Sequence, residues 1–236
     1  MKLSSRELKR RARTTLNRRY GLPMLAFVLT QAIVLLFNIP FQPSFAEPLH
    51  TFQIVIFLLA SAIISLLSIL LHAGQVYMHL QLARGNSIQI TDLFHFLNRR
   101  PDRFLLSGLL LALLFTAASL PAVGCCILAI FSASVPAYIL AAAVCLITLI
   151  LLGALALSYD LVYCLLIDRP NLRVPEAFRE SRRLMKGHRA RKLYISASFL
   201  GFSLLSMLSL GIGMLWVMPY ITQTNAAFYR NVVSEI

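Results

Sequence analysis

Acidic residues are scarce in this chain, and the few present do not form a recognisable site. The sequence has nine Asp and Glu residues against 22 Lys and Arg residues. Asp160 is the only acidic residue within a predicted hydrophobic span, so the chain lacks a carboxylate cluster that would favour a metal. HExxH and GxSxG motifs and a glycine-rich phosphate loop are missing as well. We therefore predict a protein that is not an enzyme and carries no cofactor.

Cysteine is also sparse, and its spacing excludes two common kinds of site. The four cysteines lie in or next to apolar stretches, at Cys125, Cys126, Cys145 and Cys164. They form no CxxC pair, which argues against a structural zinc site and against a thioredoxin-like redox centre. We interpret them as ordinary small residues within a membrane.

Charge is absent from several long segments, and these segments are strongly hydrophobic. Hydrophobic residues make up 58% of the chain, more than a soluble protein of this length would bury. A transmembrane helix needs about 20 apolar residues to cross a bilayer. We predict an all-α, polytopic transmembrane helix bundle whose domain covers residues 22–218, with five spans at about 22–39, 52–80, 104–121, 137–167 and 193–218.

The positive charge that the spans lack is concentrated between them. All but one of the 22 Lys and Arg residues lie in residues 2–19, 84–103 and 169–192. Loops rich in Lys and Arg remain in the cytoplasm, so the N-terminus and the basic loops 81–103 and 168–192 are predicted to be cytoplasmic. The loop 40–51 and the uncharged region 121–136 would then lie outside. Because the basic residues flank hydrophobic segments, we expect anionic lipid headgroups as their partner and no nucleic acid.

Two segments leave the number of spans open. Residues 122–134 are apolar but too short to cross the bilayer, so they either extend the third helix or dip into the membrane. Gly211 and Gly213 weaken the last helix, and Pro219 is expected to break or kink it. We predict that residues 219–236 form an interfacial segment on the outer side. A return of this segment to the cytoplasm would give six spans.

Residues 1–21 are predicted to form a basic amphipathic helix on the cytoplasmic side. Ser4 and Glu7 have the spacing of a capping box, and Leu8, Ala12 and Leu16 recur every four residues among cations. Such a helix is expected to lie on the inner membrane surface with its apolar side down. The alternative is a solvated segment that only sets the topology.

A second basic helix is predicted within residues 173–192. Pro175 suits its first turn, and Gly187 suits its end. Its cations and two from the N-terminal helix form a candidate face for binding lipid or a partner protein, at Arg10, Arg11, Arg179, Arg182, Arg183 and Lys186. The alternative is a juxtamembrane loop that fixes topology without binding anything.

Polar residues within the predicted spans form the other candidate site. Ser61, Ser65, Ser68, His72, Gln75 and His79 recur at helical spacing, so we expect this face to point into the bundle. Counting residues from the cytoplasmic ends of the spans places a polar layer at a common depth, with His72, Gln75, Asp160 and Gln31 as its members. An Asp160–His72 pair would relay protons or hold a cationic group. The alternatives are a buried structural pair and an Asp160 that reaches cytoplasmic water.

The chain also resembles a known family over nearly its whole length. The most specific segments are Glu176-Ala177-Phe178, Ser181 to His188, Ser198 to Phe202, Leu210 to Trp216, Pro219-Tyr220 and Ala226 to Tyr229, with further similarity at Arg6 to Lys9, Ala83-Arg84-Gly85 and Asp92-Leu93-Phe94. These segments resemble the bacterial integral membrane proteins of domain of unknown function family 975. The resemblance implies a helical domain in a bacterial cytoplasmic membrane. It brings no catalytic residues.

Our leading functional prediction is a non-enzymatic membrane protein with an accessory, regulatory or envelope role. It would bind anionic lipids or a membrane protein partner through its basic cytoplasmic face, and a homo-oligomer is also compatible with the sequence. The alternative is a small transporter or channel that uses the Asp160/His72 layer.

Overall fold

In a computed structural model, the described residues, 3–17, 19–41 and 51–234, form helices and no strands. Most of the predicted outer loop 40–51 and the last two residues of the predicted segment 219–236 lie outside the described residues. Two short 3-10 helices occur at Ile39–Phe41 and Ile90–Phe94. The α-helices are α1 (Ser5–Leu16), α2 (Gly21–Asn38), α3 (Thr51–Arg84), α4 (His95–Asn98), α5 (Pro101–Ser132), α6 (Val135–Tyr159), α7 (Val162–Asp168), α8 (Val174–Leu184), α9 (Arg189–Leu208) and α10 (Met214–Val233).

Four segments in the described part of the chain are long and apolar enough to cross a membrane, which suggests a membrane protein. They are Gly21–Phe41, Thr51–Arg84, Pro101–Ser132 and Val135–Asp168. Few of their residues are buried inside the bundle, and side chains such as Phe131 and Leu128 are 85% and 68% exposed. Apolar surface of this extent is favourable in contact with lipid and costly in water.

The charged residues gather at one end of the bundle, which we call the basic end. It contains α1, α4 and α8, the C-terminal ends of α3, α7 and α10, and the N-terminal ends of α5 and α9. Side-chain contacts join these elements: Tyr229 on α10 donates a hydrogen bond to Asp168 on α7, and Asp168 pairs with Arg84 on α3. Fully buried side chains are also concentrated here, including Leu8, Leu80, Leu165 and Phe228. The basic end is therefore both the charged surface and the packed core.

The third predicted span is longer than expected. The sequence predicted an interruption near Pro121, but α5 continues through this proline to Ser132. Of the two alternatives for residues 122–134, extension of the helix is therefore correct up to Ser132. A proline within a helix removes one backbone hydrogen bond, and membrane helices tolerate that loss. Ala133 adopts a left-handed conformation with φ 46°, and α6 then begins at Val135.

The predicted span 193–218 is not one helix. α9 ends at Leu208, the chain turns through residues 209–213, and α10 packs back against α9. Leu210 and Gly211 have φ values of 53° and 85° in this turn. Glycine adopts such angles without steric cost, so the helix breaks here and not at Pro219. Pro219 lies within α10, and most of the predicted interfacial segment 219–236 belongs to that helix.

The predicted basic loop 81–103 contains a segment that folds back into the bundle. Helix α3 continues to Arg84, and the 3-10 helix Ile90–Phe94 then packs against it. Leu93 is fully buried, and a Cβ at Gly74 would lie 1.9 Å from the Leu93 carbonyl oxygen. Only glycine at position 74 therefore lets the two backbones approach this closely.

Candidate functional site

The apolar stripe of α1 is buried within the protein. Leu8, Ala12 and Leu16 have no exposed surface, and α1 packs against α10, α3 and α9. The expectation that this stripe would lie on the membrane surface is therefore wrong, because protein side chains already cover it. The hydroxyl of Ser4 accepts a hydrogen bond from the Glu7 amide at 3.2 Å, as the predicted helix cap requires.

The polar side of α1 presents cations to the surroundings. Arg10 and Arg11 are exposed, and their guanidinium groups lie 3.0 and 3.5 Å from the Glu7 carboxylate. Exposed ion pairs of this kind contribute less than about 1 kcal/mol each. Glu7 therefore offsets part of the charge of this surface without removing the two guanidinium groups from it.

Helix α8 separates its apolar and basic sides as the sequence predicted. Ala177 and Met185 are fully buried, and the buried hydroxyl of Ser181 donates to the carbonyl oxygen of Ser158 at 2.9 Å. The cations on the other side are all exposed, at Arg179, Arg182, Arg183 and Lys186. None of these four side chains forms an ion pair or hydrogen bond with another described residue. They are accessible to an anionic ligand.

Asp160 lies where the fourth predicted span is interrupted, and its partner is a lysine. Helix α6 ends at Tyr159, α7 begins at Val162, and the Asp160 carboxylate lies 2.6 Å from the Lys192 ammonium. The Lys192 side chain is 3% exposed, and Asp160 is 25% exposed. Lys192 also donates to the side-chain oxygen of Asn225 at 2.7 Å. The pair thus joins the ends of α6, α9 and α10.

The predicted centre of the polar layer, Asp160 with His72, does not form as a bonded pair. No hydrogen bond between described residues joins the two side chains. The His72 ring instead contacts Tyr163 edge-on, with 5.2 Å between ring centroids, and the His72 side chain is exposed. Residue counting gave a similar depth for the two side chains, but depth does not fix the side of the helix on which each one lies.

Gln75 does reach helix α2, but its partner is Thr30 and not Gln31. The Gln75 amide donates to the Thr30 hydroxyl at 2.8 Å, and Thr30 donates to the carbonyl of Ala26. Gln31 is exposed. Successive helical residues point about 100° apart, so the buried face of α2 that contains Ala26 and Thr30 excludes Gln31.

The polar face predicted on α3 is only partly directed into the bundle. Ser65 and His72 are exposed, and the hydroxyls of Ser61, Ser65 and Ser68 donate to carbonyls of their own helix. The last residue of this polar face, His79, is buried. The His79 Nδ1 atom lies 2.8 Å from the Gln223 side-chain oxygen on α10. This bond was not predicted from the sequence, because residues 219–236 were not expected inside the bundle.

Lys192 is the functional candidate that the sequence missed. It lay at the edge of a basic loop, where lysines are ordinarily solvated. The feature of the sequence that could have identified Lys192 is Asp160, since a carboxylate within a span is stabilised by a nearby cation. Among the described residues, no group of three or more His, Cys, Asp and Glu side chains is arranged to hold a metal ion.

Comparison with known families is consistent with the helical, apolar architecture. The family described as Protein of unknown function (DUF975) matches residues 1–235. The chain belongs to this family. No curated protein and no solved structure matches it. Membership of DUF975 assigns no ligand or activity, so the functional argument depends on the residues themselves.

Proposed function

We propose that this DUF975 protein is a non-enzymatic integral membrane protein whose basic end binds anionic phospholipid headgroups. The proposal places the basic end at the cytoplasmic face of a bacterial inner membrane and gives the protein an accessory, regulatory or envelope role. The observation that carries it is the exposed basic side of α8. Four cations there have no described side-chain partner, while the opposite side of the same helix is fixed to the bundle.

The position of this surface supports a lipid ligand. The cations of α8 lie at the end of the bundle from which the long apolar segments extend. When those segments cross a bilayer, the basic end lies at the height of the headgroups. Each well-placed Lys or Arg near an anionic membrane contributes about 1 kcal/mol. A protein partner with an acidic surface, or a second copy of the chain, would be a competing occupant of the same face.

The proposal includes six crossings. Helix α9 leads away from the basic end, where Lys192 contacts Asp160, and α10 returns to it, where Tyr229 contacts Asp168. Twenty residues of helix extend about 30 Å, the thickness of the hydrocarbon core. This arrangement supports the six-span alternative over five spans, and in that alternative both α1 and the end of α10 would lie on the cytoplasmic side.

Neutralising α8 tests the binding proposal. We expect the triple variant Arg182→Gln, Arg183→Gln and Lys186→Gln to reduce the enrichment of phosphatidylglycerol around the protein at least tenfold, because it removes about 3 kcal/mol of attraction. The measurement is native mass spectrometry of protein released from nanodiscs that contain equal amounts of phosphatidylglycerol and phosphatidylcholine.

The matched control keeps the positive charges and changes only the side chains that carry them. Arg182→Lys with Arg183→Lys should retain the enrichment, and salt at about 1 M should abolish it, since the screening length is then about 3 Å. Equal enrichment in the Gln variant and the unmodified protein would refute the proposal. A stoichiometric protein partner lost only from the Gln variant would replace lipid as the ligand.

The transporter alternative stays a prediction. It relied on an Asp160/His72 pair, and the structure gives Asp160 a different partner.

A further inference from the structure

A cavity of about 440 Å³ lies at the basic end, and no residue of α8 lines it. Four aromatic rings form its floor. The rings of Tyr77 and His95 are stacked with centroids 4.5 Å apart, and those of Phe96 and Phe104 are 4.1 Å apart. We call it the aromatic cavity. Its floor joins α3 to α4 and to the start of α5.

Three arginines form the rim of the aromatic cavity: Arg99, Arg100 and Arg103. Arg100 donates to the Pro170 carbonyl at 2.8 Å, and Arg103 donates to the carbonyls of Arg169 and Leu172. A guanidinium group has five N–H donors, so these bonds fix the two side chains and leave other donors available. Arg99 is exposed and bonds to no other described residue. The rim therefore contains guanidinium groups that are held in place by the protein and N–H donors that remain free to bind a ligand.

The rim is not neutralised by carboxylates within the cavity. No Asp or Glu is among its lining residues. The nearest acidic side chains on the same segment are Asp92 and Asp102. The Asp92 carboxylate accepts a hydrogen bond from the Gln89 amide at 2.8 Å. Asp102 is exposed and is not a lining residue, although its charge interacts with that of Arg103. The N-terminal end of α5 adds a further partial positive charge at the rim.

The other wall of the aromatic cavity continues into the apolar surface. Leu166 and Ile167 line it, and α5, which supplies Phe104 to the floor, continues as a long apolar helix to Ser132. A ligand in this position would meet arginines at the basic end and apolar side chains along the bundle. Arginine forks bind phosphate through paired N–H groups, and aromatic rings pack against hydrocarbon.

We propose that the aromatic cavity binds one anionic phospholipid, with its phosphate at Arg99 and Arg100 and the start of an acyl chain against Phe96 and Ile167. This inference rests on the proposed function, because it needs the basic end at headgroup height. It goes further in assigning a discrete site of one lipid, separate from the diffuse attraction of α8.

The floor of the cavity is uncharged at neutral pH. Burial lowers the pKa of His95 below its ordinary value, Arg99 acts in the same direction, and Asp92 opposes them. The imidazole is then a neutral aromatic ring at pH 7, which suits contact with a lipid glycerol or acyl chain.

Two substitutions test the discrete site by different routes. Arg99→Gln removes a phosphate donor, and we expect about tenfold weaker retention of the most tightly bound phosphatidylglycerol. Asn98→Trp keeps the net charge and fills the mouth of the cavity, because Asn98 is an exposed lining residue. It should abolish that single retained lipid. Both are measured by native mass spectrometry of detergent-purified protein titrated with phosphatidylglycerol, with phosphatidylcholine as the zwitterionic comparison of zero net charge.

Arg179→Gln is the matched control, because it removes one exposed cation from α8. It should leave the single tight lipid in place. The site is overturned if Arg99→Gln and Arg179→Gln weaken retention equally, if Asn98→Trp retains the lipid, or if phosphatidylcholine is held as tightly. The triple α8 variant separates the two proposals. If it loses general enrichment but keeps one tight lipid, both proposals stand. If the unmodified protein shows general enrichment but holds no tight lipid, only α8 binding stands.

Discussion

At the residue scale, the Asp160–Lys192 pair is the most consequential contact in the bundle. It places a lysine with 3% exposure against a carboxylate with 25% exposure, and Asn225 accepts a further bond from the lysine. Compared with apolar residues packed in the same place, a buried ion pair adds little net stability. Loss of one partner is costly, because the remaining charge is left without compensation.

We predict an asymmetric effect of breaking this pair. Asp160→Asn should lower the free energy of unfolding by about 3 kcal/mol, because it leaves a buried ammonium group unpaired. Lys192→Met should cost less, since Asp160 remains partly accessible to water. The measurement is thermal unfolding of the purified protein in one detergent.

The double variant Asp160→Asn with Lys192→Met serves as the control. It removes both charges, so its melting temperature should exceed that of Asp160→Asn alone. A double variant that melts below both single variants would show that the pair is not the source of the loss. His72→Asn, outside the pair, should change the melting temperature less than Asp160→Asn.

Residue-level prediction from the sequence succeeded where periodicity alone decides burial. The stripe of Leu8, Ala12 and Leu16 and the two sides of α8 follow directly from helical spacing. Contacts between distant helices were not accessible in this way. Residue counting predicted a common depth for His72 and Gln31, but rotation about each helix axis depends on packing against partners that spacing does not identify.

At the element scale, α5 and α6 form a long hairpin, and each packs more against the other than against any other helix. They are joined by residues 133–134 and pack extensively against each other, while most of their outward side chains are exposed. Their approximate positions followed from hydrophobicity. The length of α5 did not, because a proline in a membrane helix is compatible with either a break or a continuous helix, and α5 continues through Pro121.

A cysteine pair tests how the two helices face each other. The Cys126 and Cys145 sulfur atoms are 3.5 Å apart, and a disulfide needs about 2.05 Å, so a small movement joins them. In a Cys125→Ser, Cys164→Ser background, we expect mild oxidation with copper phenanthroline to form an intramolecular disulfide. Intact mass and loss of iodoacetamide-reactive thiol report it.

Adding Cys145→Ser to the same background should keep the remaining thiol reactive and the chain uncrosslinked. If both thiols of the paired protein stay reactive, or only linked dimers appear, the register of the α5–α6 hairpin is wrong.

At the scale of the whole molecule, the position of the last helix determines the topology. The chain turns at residues 209–213, and α10 returns to the basic end. Hydropathy could not locate this turn, because the predicted span 193–218 is apolar on both sides of it. The deciding features are local, namely a left-handed Leu210 and Gly211 followed by a helix whose last turns are buried.

Cysteine labelling distinguishes six crossings from five. In a background without native cysteines, Leu210→Cys should react with a membrane-impermeant maleimide in intact cells, because Leu210 is 94% exposed at the end opposite the basic end. Ser234→Cys should react only after the membrane is permeabilised. Five crossings would instead make both positions accessible in intact cells. Under six crossings, Arg182→Cys on α8 should behave like Ser234→Cys and react only after permeabilisation.

The burial of α1 against α10 also sets the order in which the molecule is completed. Helix α1 ends at Leu16 and α10 begins at Met214, so about 200 residues of synthesis separate the two partners. At about 5–20 residues per second, α1 emerges some 10–40 s before the helix that covers it. During that interval its Leu8, Ala12 and Leu16 stripe is uncovered beside the membrane, and an amphipathic basic helix is well suited to rest there. Completion of the fold then consists of transferring α1 from lipid to protein.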